Sequence, residues 1–472
     1  MNEYPVDYSR KWFVMWAVSM GVFLATIDGS IVNIALPTLQ EEFGAPFSSV
    51  QWVVLAYLLV LGTLSLLFGR LGDMIGKKRI YTTGFIAFTT ASAAAATAQS
   101  VGMLIGWRIV QAVGAAMILS LGLAILTAAF PATERGKALG LIGTTVSVGI
   151  VIGPTMGGLI LSAASWHWIF LVNVPVGILG TITSIKFIPN TKPLGGQTFD
   201  FPGAALFAAS ITSLMLGMTL AGERGFGSRL VLSLLALSVV VGAGFVYWER
   251  RTDQPIIDLS IFDNKLFSIN IVTGLLTFVC VSGVFFIAPF YLERTLELES
   301  RQIGLLLAAS PILLAVVAPA SGWLSDKIGS RPITLAGLLV LLIGYWSFRR
   351  LGQDTTSLGF VLALAPIGAG MGLFQSPNNS IIMGSVRPER LGIASGLLNL
   401  TRILGQITGI GVLTTFWAIR ADAAGGQTDP AGIVSGLHDT MLVAIILIGF
   451  GFTLALWGFF AERRLKIEEV KR

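Results

Sequence analysis

Two charged residues stand inside long apolar runs of the sequence, where an ionisable side chain is costly. Asp28 lies in the run from Trp12 to Ala35, and Arg108 lies in the run 102–126. An ionised carboxylate in hydrocarbon is expensive, so Asp28 is a candidate for reversible protonation near neutral pH and for pairing with a cation. The alternative is a structural Asp28 that only hydrogen-bonds a neighbouring helix.

Arg108 keeps its charge under physiological conditions, so its guanidinium must meet a polar cavity or hydrogen-bond acceptors. Gln111 follows three residues later, which places it on the same face of a helix. The residues alone leave open whether Arg108 serves function or bonds backbone carbonyls as a structural arginine.

The elements that must position these residues are membrane-spanning helices. Of the 472 residues, 54% are hydrophobic and only 12% are charged, whereas a soluble domain carries about 25% charged residues. That composition excludes a soluble globular protein and a disordered one. The apolar runs are continuous over roughly 20 residues, which excludes a membrane β-barrel and predicts a polytopic all-α membrane protein.

The sequence predicts fourteen transmembrane helices. Under that count, 22 of the 31 lysines and arginines fall on one side of the membrane, seven on the other and two within spans. The positive-inside rule then places both termini in the cytoplasm. We expect the protein in the cell (inner or plasma) membrane. The predicted spans are 12–35, 50–69, 81–98, 102–126, 139–161, 169–188, 203–221, 230–248, 267–290, 303–322, 333–349, 358–382, 391–418 and 439–460.

A repeated segment divides the chain. Residues 69–79 and 322–332 share Gly, Leu, Asp, Ile and Gly at the same five offsets, 253 residues apart. This spacing predicts two parallel six-helix halves with an inserted pair of helices between them. The predicted units are the N-terminal half, the inserted helices 7 and 8 with their loops, and the C-terminal half with its tail, at 1–189, 190–265 and 266–472.

Motifs along nearly the whole chain resemble the major facilitator superfamily, and specifically its fourteen-span drug:proton antiporter branch. Each motif is weak alone, but their order and their positions on the spans are specific. The chain departs from the family at Ala112, where glycine is usual, and at His167, where arginine is usual. The segments that carry the likeness are Leu24–Pro37, Gly69–Arg79, Arg108–Gln111, Gly149–Gly158 and Trp166–Gly177.

The resemblance implies a proton-coupled secondary active efflux transporter that exports lipophilic compounds, cationic or neutral, by alternating access. In that interpretation Asp28 binds the proton or the substrate, and Arg108 and Gln111 take part in proton coupling. The alternatives are an exporter of a lipid, an amino acid or another metabolite on the same scaffold, and a non-transporting membrane scaffold or sensor. The expected partners are a small-molecule substrate, protons and membrane lipids, and the expected state is a monomer.

The loop motif after span 2 is expected to act as a conformational latch at the cytoplasmic end. Its aspartate can bridge to helix N-termini or to basic groups across the interface between the halves. Its glycines allow a tight turn and a close helix approach, while its basic residues also serve as ordinary topology charges. The candidate latch residues are Gly69, Arg70, Gly72, Asp73, Gly76, Lys77, Arg79 and, in the second copy, Asp326.

The span-5 motif places glycines at every fourth position, on one face of a helix. The resemblance implies that this face, kinked by a proline, suits antiport, and the alternative is simple helix packing. The motif residues are Gly149, Gly153, Pro154, Gly157 and Gly158.

Polar residues on spans 12 and 13 form a further set of candidates. They either line a cavity or hydrogen-bond a neighbouring helix, which is the commoner role of any single one. Arg402 on span 13 either pairs across the interface or snorkels. The neutral members of the set are Gln375, Asn378, Asn379, Asn399 and Gln406.

Signatures of enzymes and of cofactor proteins are missing from the sequence. It has no phosphate-binding Gly-Lys-Ser/Thr motif, no nucleophile paired with a base, and no Cys/His cluster for a metal. Cys280 is the one cysteine. We therefore expect no enzyme activity, no cofactor, no metal and no nucleic-acid partner.

Overall fold

The structure, a computed structural model, describes residues 8–45, 47–190, 198–426 and 429–471. Within those residues the regular secondary structure is helical, without strands. All fourteen predicted spans coincide with long helices, so the predicted polytopic all-α fold is confirmed. The predicted domain boundary near residue 190 adjoins residues 191–197, which lie outside the described residues.

The described part of the chain contains fourteen helices of fifteen or more residues. The first seven are α1 Lys11–Phe43, α2 Trp52–Ile75, α3 Lys77–Ala95, α4 Val101–Ala129, α5 Arg135–Ala163, α6 Asn173–Phe187 and α7 Phe201–Arg224. The other seven are α8 Arg229–Glu249, α9 Lys265–Arg294, α10 Ala309–Ile328, α11 Ser330–Phe348, α12 Ser357–Gly384, α13 Leu391–Thr408 and α14 Pro430–Lys471. A π-helical turn, Gly409–Leu413, continues α13 into the helix Thr414–Ala423.

Thirteen helical segments of the described chain are long and apolar enough to cross a membrane. Helix α3 is not among them, because it opens with Lys77, Lys78 and Arg79 and carries four threonines. Its core side is nevertheless apolar, with Phe85 and Phe88 fully buried. On the outside of the bundle, large apolar side chains are exposed, such as Val239 at 72% and Val316 at 67%. Such a surface requires a lipid environment.

Local sequence explains where several helices begin. Ser100 accepts a hydrogen bond from the Met103 amide at the start of α4, and Asn264 accepts from the Leu266 amide at the start of α9. These side chains satisfy amides that have no partner within the helix. Gly76 and Gly329 have positive φ angles of 107° and 91° and join consecutive helices at the ends of α2 and α10. The repeated motif therefore has the same backbone turn in both copies.

Buried apolar side chains gather in two large clusters. One cluster is formed by side chains between residues 14 and 188 with Met215 and Ile403, and the other by side chains between residues 280 and 448. The inserted helices pack beside the first set, where the Thr63 and Thr212 hydroxyls are 3.1 Å apart. The division into two six-helix halves stays a prediction. These two clusters agree with it, whereas a third cluster joins Leu66 and Ala124 of the early helices to Leu391 of α13.

Glycines allow α3 and α4 to pack with their backbones in contact. A Cβ placed on Gly114 would lie 2.5 Å from the Phe88 amide nitrogen and 2.7 Å from the Gly84 carbonyl oxygen. By contrast, a Cβ on Gly106 of the same helix would meet no atom within 4 Å. Gly114 is thus required by packing, and Gly106 is not.

We predict that Gly114→Ala destabilises the protein by about 1–3 kcal/mol, because the methyl group must push two backbones apart. Gly106→Ala is the matched control and should stabilise slightly, since alanine favours a helix over glycine by roughly 0.5–1 kcal/mol. Thermal unfolding of the purified variants in detergent measures both. Equal melting temperatures for the two variants would contradict the packing assignment.

Candidate functional site

Asp28 and Arg108 form an ion pair in the interior of the first six helices. Nη1 of Arg108 lies 2.5 Å from Oδ2 of Asp28, and neither side chain has any exposed surface. Gln111 donates to Oδ1 of Asp28 at 2.8 Å and accepts from Arg108 Nη1 at 2.7 Å. The structure therefore brings all three predicted proton-site residues together.

Asn173 completes this network and is not among the residues predicted from the sequence. Its side-chain amide donates to Oδ1 of Asp28 at 2.8 Å and to the Ser92 hydroxyl at 3.1 Å. Ser92 in turn donates to the Phe170 carbonyl at 2.9 Å. The available signal was a lone asparagine at the start of an apolar span, where side-chain amides commonly join helices.

Helix α2 supplies the second layer around Arg108. The guanidinium lies over the Tyr57 ring at 4.2 Å from its centroid, and Nε donates to the Val53 carbonyl at 3.1 Å. A cation above an aromatic face is stabilised electrostatically. Helices α1, α2, α4 and α6 thus all contribute to holding one buried charge pair.

The network leaves three buried polar atoms without a hydrogen-bond partner among the described residues. They are Arg108 Nη2, the Tyr57 hydroxyl and Asn173 Oδ1. Unsatisfied buried polar groups are uncommon and costly, so their clustering at one place calls for a functional explanation. All three contacts to the Asp28 carboxylate come from donors, and Arg108 is the charged one, so a proton on this carboxyl would leave the buried guanidinium without its counter-charge.

The glycine face of the span-5 motif packs against the stretch of α1 that carries Asp28. A Cβ on Gly149 would lie 3.0 Å from Thr26, and one on Gly157 would lie 3.0 Å from Ile31. A Cβ on Gly153 would clash with the Ser30 hydroxyl, which itself donates to the Gly149 carbonyl at 3.1 Å.

Gly158 and Pro154 are the motif residues that do not take part in this contact. A Cβ on Gly158 would meet no atom within 4 Å, and Pro154 is exposed on the surface of α5. The motif therefore sets how closely α5 approaches the helix that holds Asp28, through its buried glycines alone.

The two copies of the repeated motif make matching contacts at the opposite end of the bundle. Asp73 at the end of α2 accepts from the amides of Gly392 and Ile393 at 3.0 Å each, at the start of α13. Asp326 at the end of α10 accepts from the amides of Gly136 and Lys137 at 2.8 and 2.9 Å, at the start of α5. Each carboxylate caps a helix N-terminus, where the helix dipole favours negative charge.

Glycines let the backbones meet at both crossings. A Cβ on Gly69 would run into the Gly392 carbonyl, and a Cβ on Gly136 would run into the Gly322 carbonyl. A Cβ on Gly72 would run into the side chain of Leu121 on α4. Close approach at these points shortens the distance between each carboxylate and the amides that it caps.

The charged members of the first latch copy have different surroundings. Lys77 Nζ lies 2.7 Å from Oδ1 of Asp73, and this pair is almost completely buried. Arg70 is buried within electrostatic range of Asp73 and Glu249, whereas Arg79 is exposed and stays outside the contact.

A surface ion pair lies beside this crossing, in the loop before α9. Arg390 Nη2 lies 2.5 Å from Oδ2 of Asp258. Hydrogen bonds from Ser260, with the Arg390 guanidinium nearby, lower the pKa of the Asp258 carboxyl. Asp258 is therefore ionised at neutral pH and holds the segment that leads into α13.

A cavity that is partly open to solvent lies between the early and the late helices. The early helices supply an apolar wall that includes Leu119, Leu123 and Val146, and the late helices supply a polar wall. Asp28, Arg108 and Gln111 do not line this cavity. Of the polar candidates on spans 12 and 13, Gln406 is exposed elsewhere, and the cavity is lined by Gln375, Asn378, Asn379, Asn399 and Arg402.

These features define a polytopic helical membrane protein with a buried charge pair, paired crossings at one end and a cavity between two groups of helices. The chain belongs to the Major Facilitator Superfamily, which matches residues 18–410. Its family and fold are those of membrane transporters and not of enzymes.

Individual relatives extend over most of the chain. It is 37% identical over 412 residues to the riboflavin transporter RibZ of Clostridioides difficile (strain 630), covering 87% of this chain and 89% of that protein. It is 31% identical over 398 residues to the multidrug resistance protein Stp of Mycobacterium tuberculosis (strain CDC 1551 / Oshkosh), covering 84% and 74%. The crystal structure of the human organic anion transporter MFSD10 (TETRAN) superposes with a TM-score of 0.69 at 17% identity, covering 94% and 99%, and shows the shared fold alone.

We predict that Asp73→Asn opens the latch end of the bundle. The variant loses the ion pair to Lys77 and the charge at the α13 N-terminus, a loss of about 1–2 kcal/mol that changes the ratio of open to closed molecules roughly ten-fold. Double electron–electron resonance spectroscopy with spin labels on cysteines introduced at Arg79 and Glu389 should then report longer distances between the labels. Asp439→Asn, which removes an exposed partner of Arg420 far from this end, is the control. An unchanged distance distribution in Asp73→Asn would contradict the latch.

We also predict that Gly153→Leu disrupts the Asp28 site and that Gly158→Leu does not. The first side chain must displace the α1 segment around Ser30, whereas the second enters open space. Gly153→Leu should lower transport activity in proteoliposomes at least ten-fold, and Gly158→Leu should stay near wild type. Similar activity in both variants would reduce the motif to a generic packing surface.

Proposed function

We propose that this transporter exports amphipathic organic compounds in exchange for protons, by alternating access of the central cavity to the two sides of the membrane. In this proposal the chain belongs to the fourteen-span drug:proton antiporter branch and lies in the cell membrane with both termini in the cytoplasm. The observation that carries it is the buried Asp28–Arg108 pair, held against the glycine face of α5.

Asp28 is the proposed proton-binding group. In the described arrangement it accepts bonds from Arg108, Gln111 and Asn173, all of which match an ionised carboxylate. A proton on the carboxyl removes the ion pair and leaves the buried Arg108 guanidinium without a counter-charge, so protonation favours a different packing of α1. That difference in stability between two packings is what couples a proton to a conformational change.

The cavity is the proposed substrate site, because it lies between the two groups of helices whose relative motion alternating access requires. Its apolar wall suits a lipophilic ring or chain, and its amide-rich wall suits a polar edge. Separating the proton site from the substrate site lets protonation act through helix packing, without direct competition for one carboxylate.

The latch contacts are proposed to hold the bundle closed at the end predicted to be cytoplasmic. Asp73 and Asp326 each cap a helix from the other half of the predicted repeat. Breaking both crossings opens that end, and rebuilding them closes it.

A proton that falls through 100 mV releases about 2.3 kcal/mol, which sustains roughly a fifty-fold gradient of a neutral compound.

A metabolite is the second candidate for the substrate. The relative with 37% identity is a riboflavin transporter, and another relative is a multidrug resistance protein. A cavity with one apolar and one amide-rich wall fits a flat ring system with polar edge groups, a description that covers both kinds of compound. We therefore choose riboflavin and ethidium as test compounds.

We predict that Asp28→Asn abolishes gradient-driven transport while leaving the protein folded. Proteoliposomes with an acidic lumen should accumulate one of these compounds as protons leave through the wild-type protein. Asn keeps the shape of Asp28 but cannot exchange a proton, so accumulation should fall to the level of protein-free liposomes. Asp439→Asn serves as the matched carboxylate control and should accumulate normally. Gradient-driven accumulation by Asp28→Asn at the wild-type rate would overturn the proposed coupling.

A further inference from the structure

The central cavity contains one charged side chain, Arg402, among the described residues that line it. Asp28 and Arg108 lie outside the lining and neutralise each other. The electrostatic character of the cavity is therefore set by a single guanidinium on α13. This single positive charge affects which substrates the cavity accepts.

Arg402 is held in place without being neutralised. Its Nη2 donates to Oδ1 of Asn399 at 2.7 Å, and the Asn399 amide donates to the Ser65 hydroxyl at 2.6 Å across to α2. Ser65 donates onward to the Leu61 carbonyl at 2.5 Å, so each member of the chain is oriented by the next. Among the described residues, no carboxylate lies within ion-pair distance of Arg402.

The remaining donors of Arg402 are available to a ligand. In the described chain, neither Nε nor Nη1 of Arg402 has a hydrogen-bond acceptor, and neither is among the fully enclosed unpartnered atoms. A guanidinium presents its donors in a planar fork that matches a carboxylate or another oxyanion. Arg402 is half-buried and has no counter-charge among the described residues, so an anionic ligand would supply the missing ion pair.

Asn378 adds an independent polar contact on the same wall. It is 2% exposed, and its amide donates to the Asn270 carbonyl at 3.3 Å. Its Oδ1 is buried without a partner among the described residues, although Asn378 lines the cavity. An N–H or O–H donor on a ligand would satisfy this oxygen.

We propose that the cavity binds amphipathic organic anions through Arg402, with the apolar part of the ligand against α4 and α5. The ligand carries an oxyanion for the guanidinium, a donor for Asn378 Oδ1, and a ring system or chain for Leu119, Leu123 and Val146. The same guanidinium disfavours lipophilic cations, since no described residue of the lining offsets its charge. This inference names the substrate class of the proposed function and rests on the cavity being its substrate site.

Two xanthene dyes of opposite charge test the proposal directly. Fluorescein carries negative charge at pH 7.4 and rhodamine 6G carries positive charge on a similar ring system, so apolar contacts are nearly matched. Fluorescence anisotropy with the purified protein in nanodiscs gives both dissociation constants. We expect the wild-type protein to bind fluorescein at least ten-fold more tightly than rhodamine 6G. Equal binding, or tighter binding of the cation, would overturn the proposal.

Variants of Arg402 assign the preference to this side chain. Arg402→Gln should weaken fluorescein binding about 10- to 100-fold, as expected for a lost charged hydrogen bond, and should not weaken rhodamine 6G binding. Arg402→Lys keeps the charge but loses the fork, so it should retain part of the preference. Arg420→Gln, on the helix that continues α13, is the matched control because its partner Asp439 lies outside the cavity. An Arg402→Gln variant that binds fluorescein as tightly as the wild-type protein would contradict the assignment. If that variant does not fold, the comparison of the two dissociation constants for the wild-type protein still tests the proposal.

The charge preference and the proposed proton coupling can fail separately. Tight fluorescein binding that depends on Arg402, without any gradient-driven transport, supports the anion site and contradicts the proton coupling. Gradient-driven transport of ethidium with rhodamine 6G bound more tightly than fluorescein supports the coupling and contradicts the anion site.

Discussion

An ion pair buried in a membrane protein must obtain all of its stabilisation from neighbouring side chains and backbone. Asp28 and Arg108 meet this requirement with partners from four helices, and much of the packing around them follows from it. Glycines on α5 let α1 come close enough to keep the pair enclosed, and Ser92 fixes the asparagine that reaches Asp28. Moving any one of these helices disturbs the neutralisation of both charges.

The two ends of the bundle differ in their polar contacts. The latch end is held by carboxylates on helix N-termini and by glycine contacts between early and late helices. The Asp28 network lies toward the other end, near the starts of α2 and α4, and joins early helices only. The cavity lies between early and late helices, where it is affected by motion of either group. A change of charge at Asp28 therefore acts on the packing of the early helices, which form one wall of that cavity.

The composition and the charge pattern of the sequence predicted the membrane fold and the fourteen helices. The thickness of the hydrocarbon layer sets the length of a spanning helix, and lysines and arginines concentrate in the loops on one side of the membrane. Asp28, Arg108 and Gln111 could be proposed from sequence because polar residues in apolar runs are conspicuous. Tyr57 could not, since an aromatic residue in a span gives no sign that its face meets a guanidinium. Gln406 illustrates what the sequence could not predict. It shares α13 with Arg402, yet only Arg402 reaches the cavity, and that outcome depends on helix rotation, which near-uniform hydrophobicity does not reveal.

The central claim is that the charge on Asp28 decides which packing of the helices is stable. Spin labels on cysteines introduced at Glu42 and Asp354 would report the separation of early and late helices at the end away from the latch. At the same pH, the wild-type protein and Asp28→Asn should give different distance distributions, because asparagine cannot supply the charge that neutralises Arg108. Identical distributions in the two proteins would contradict the claim.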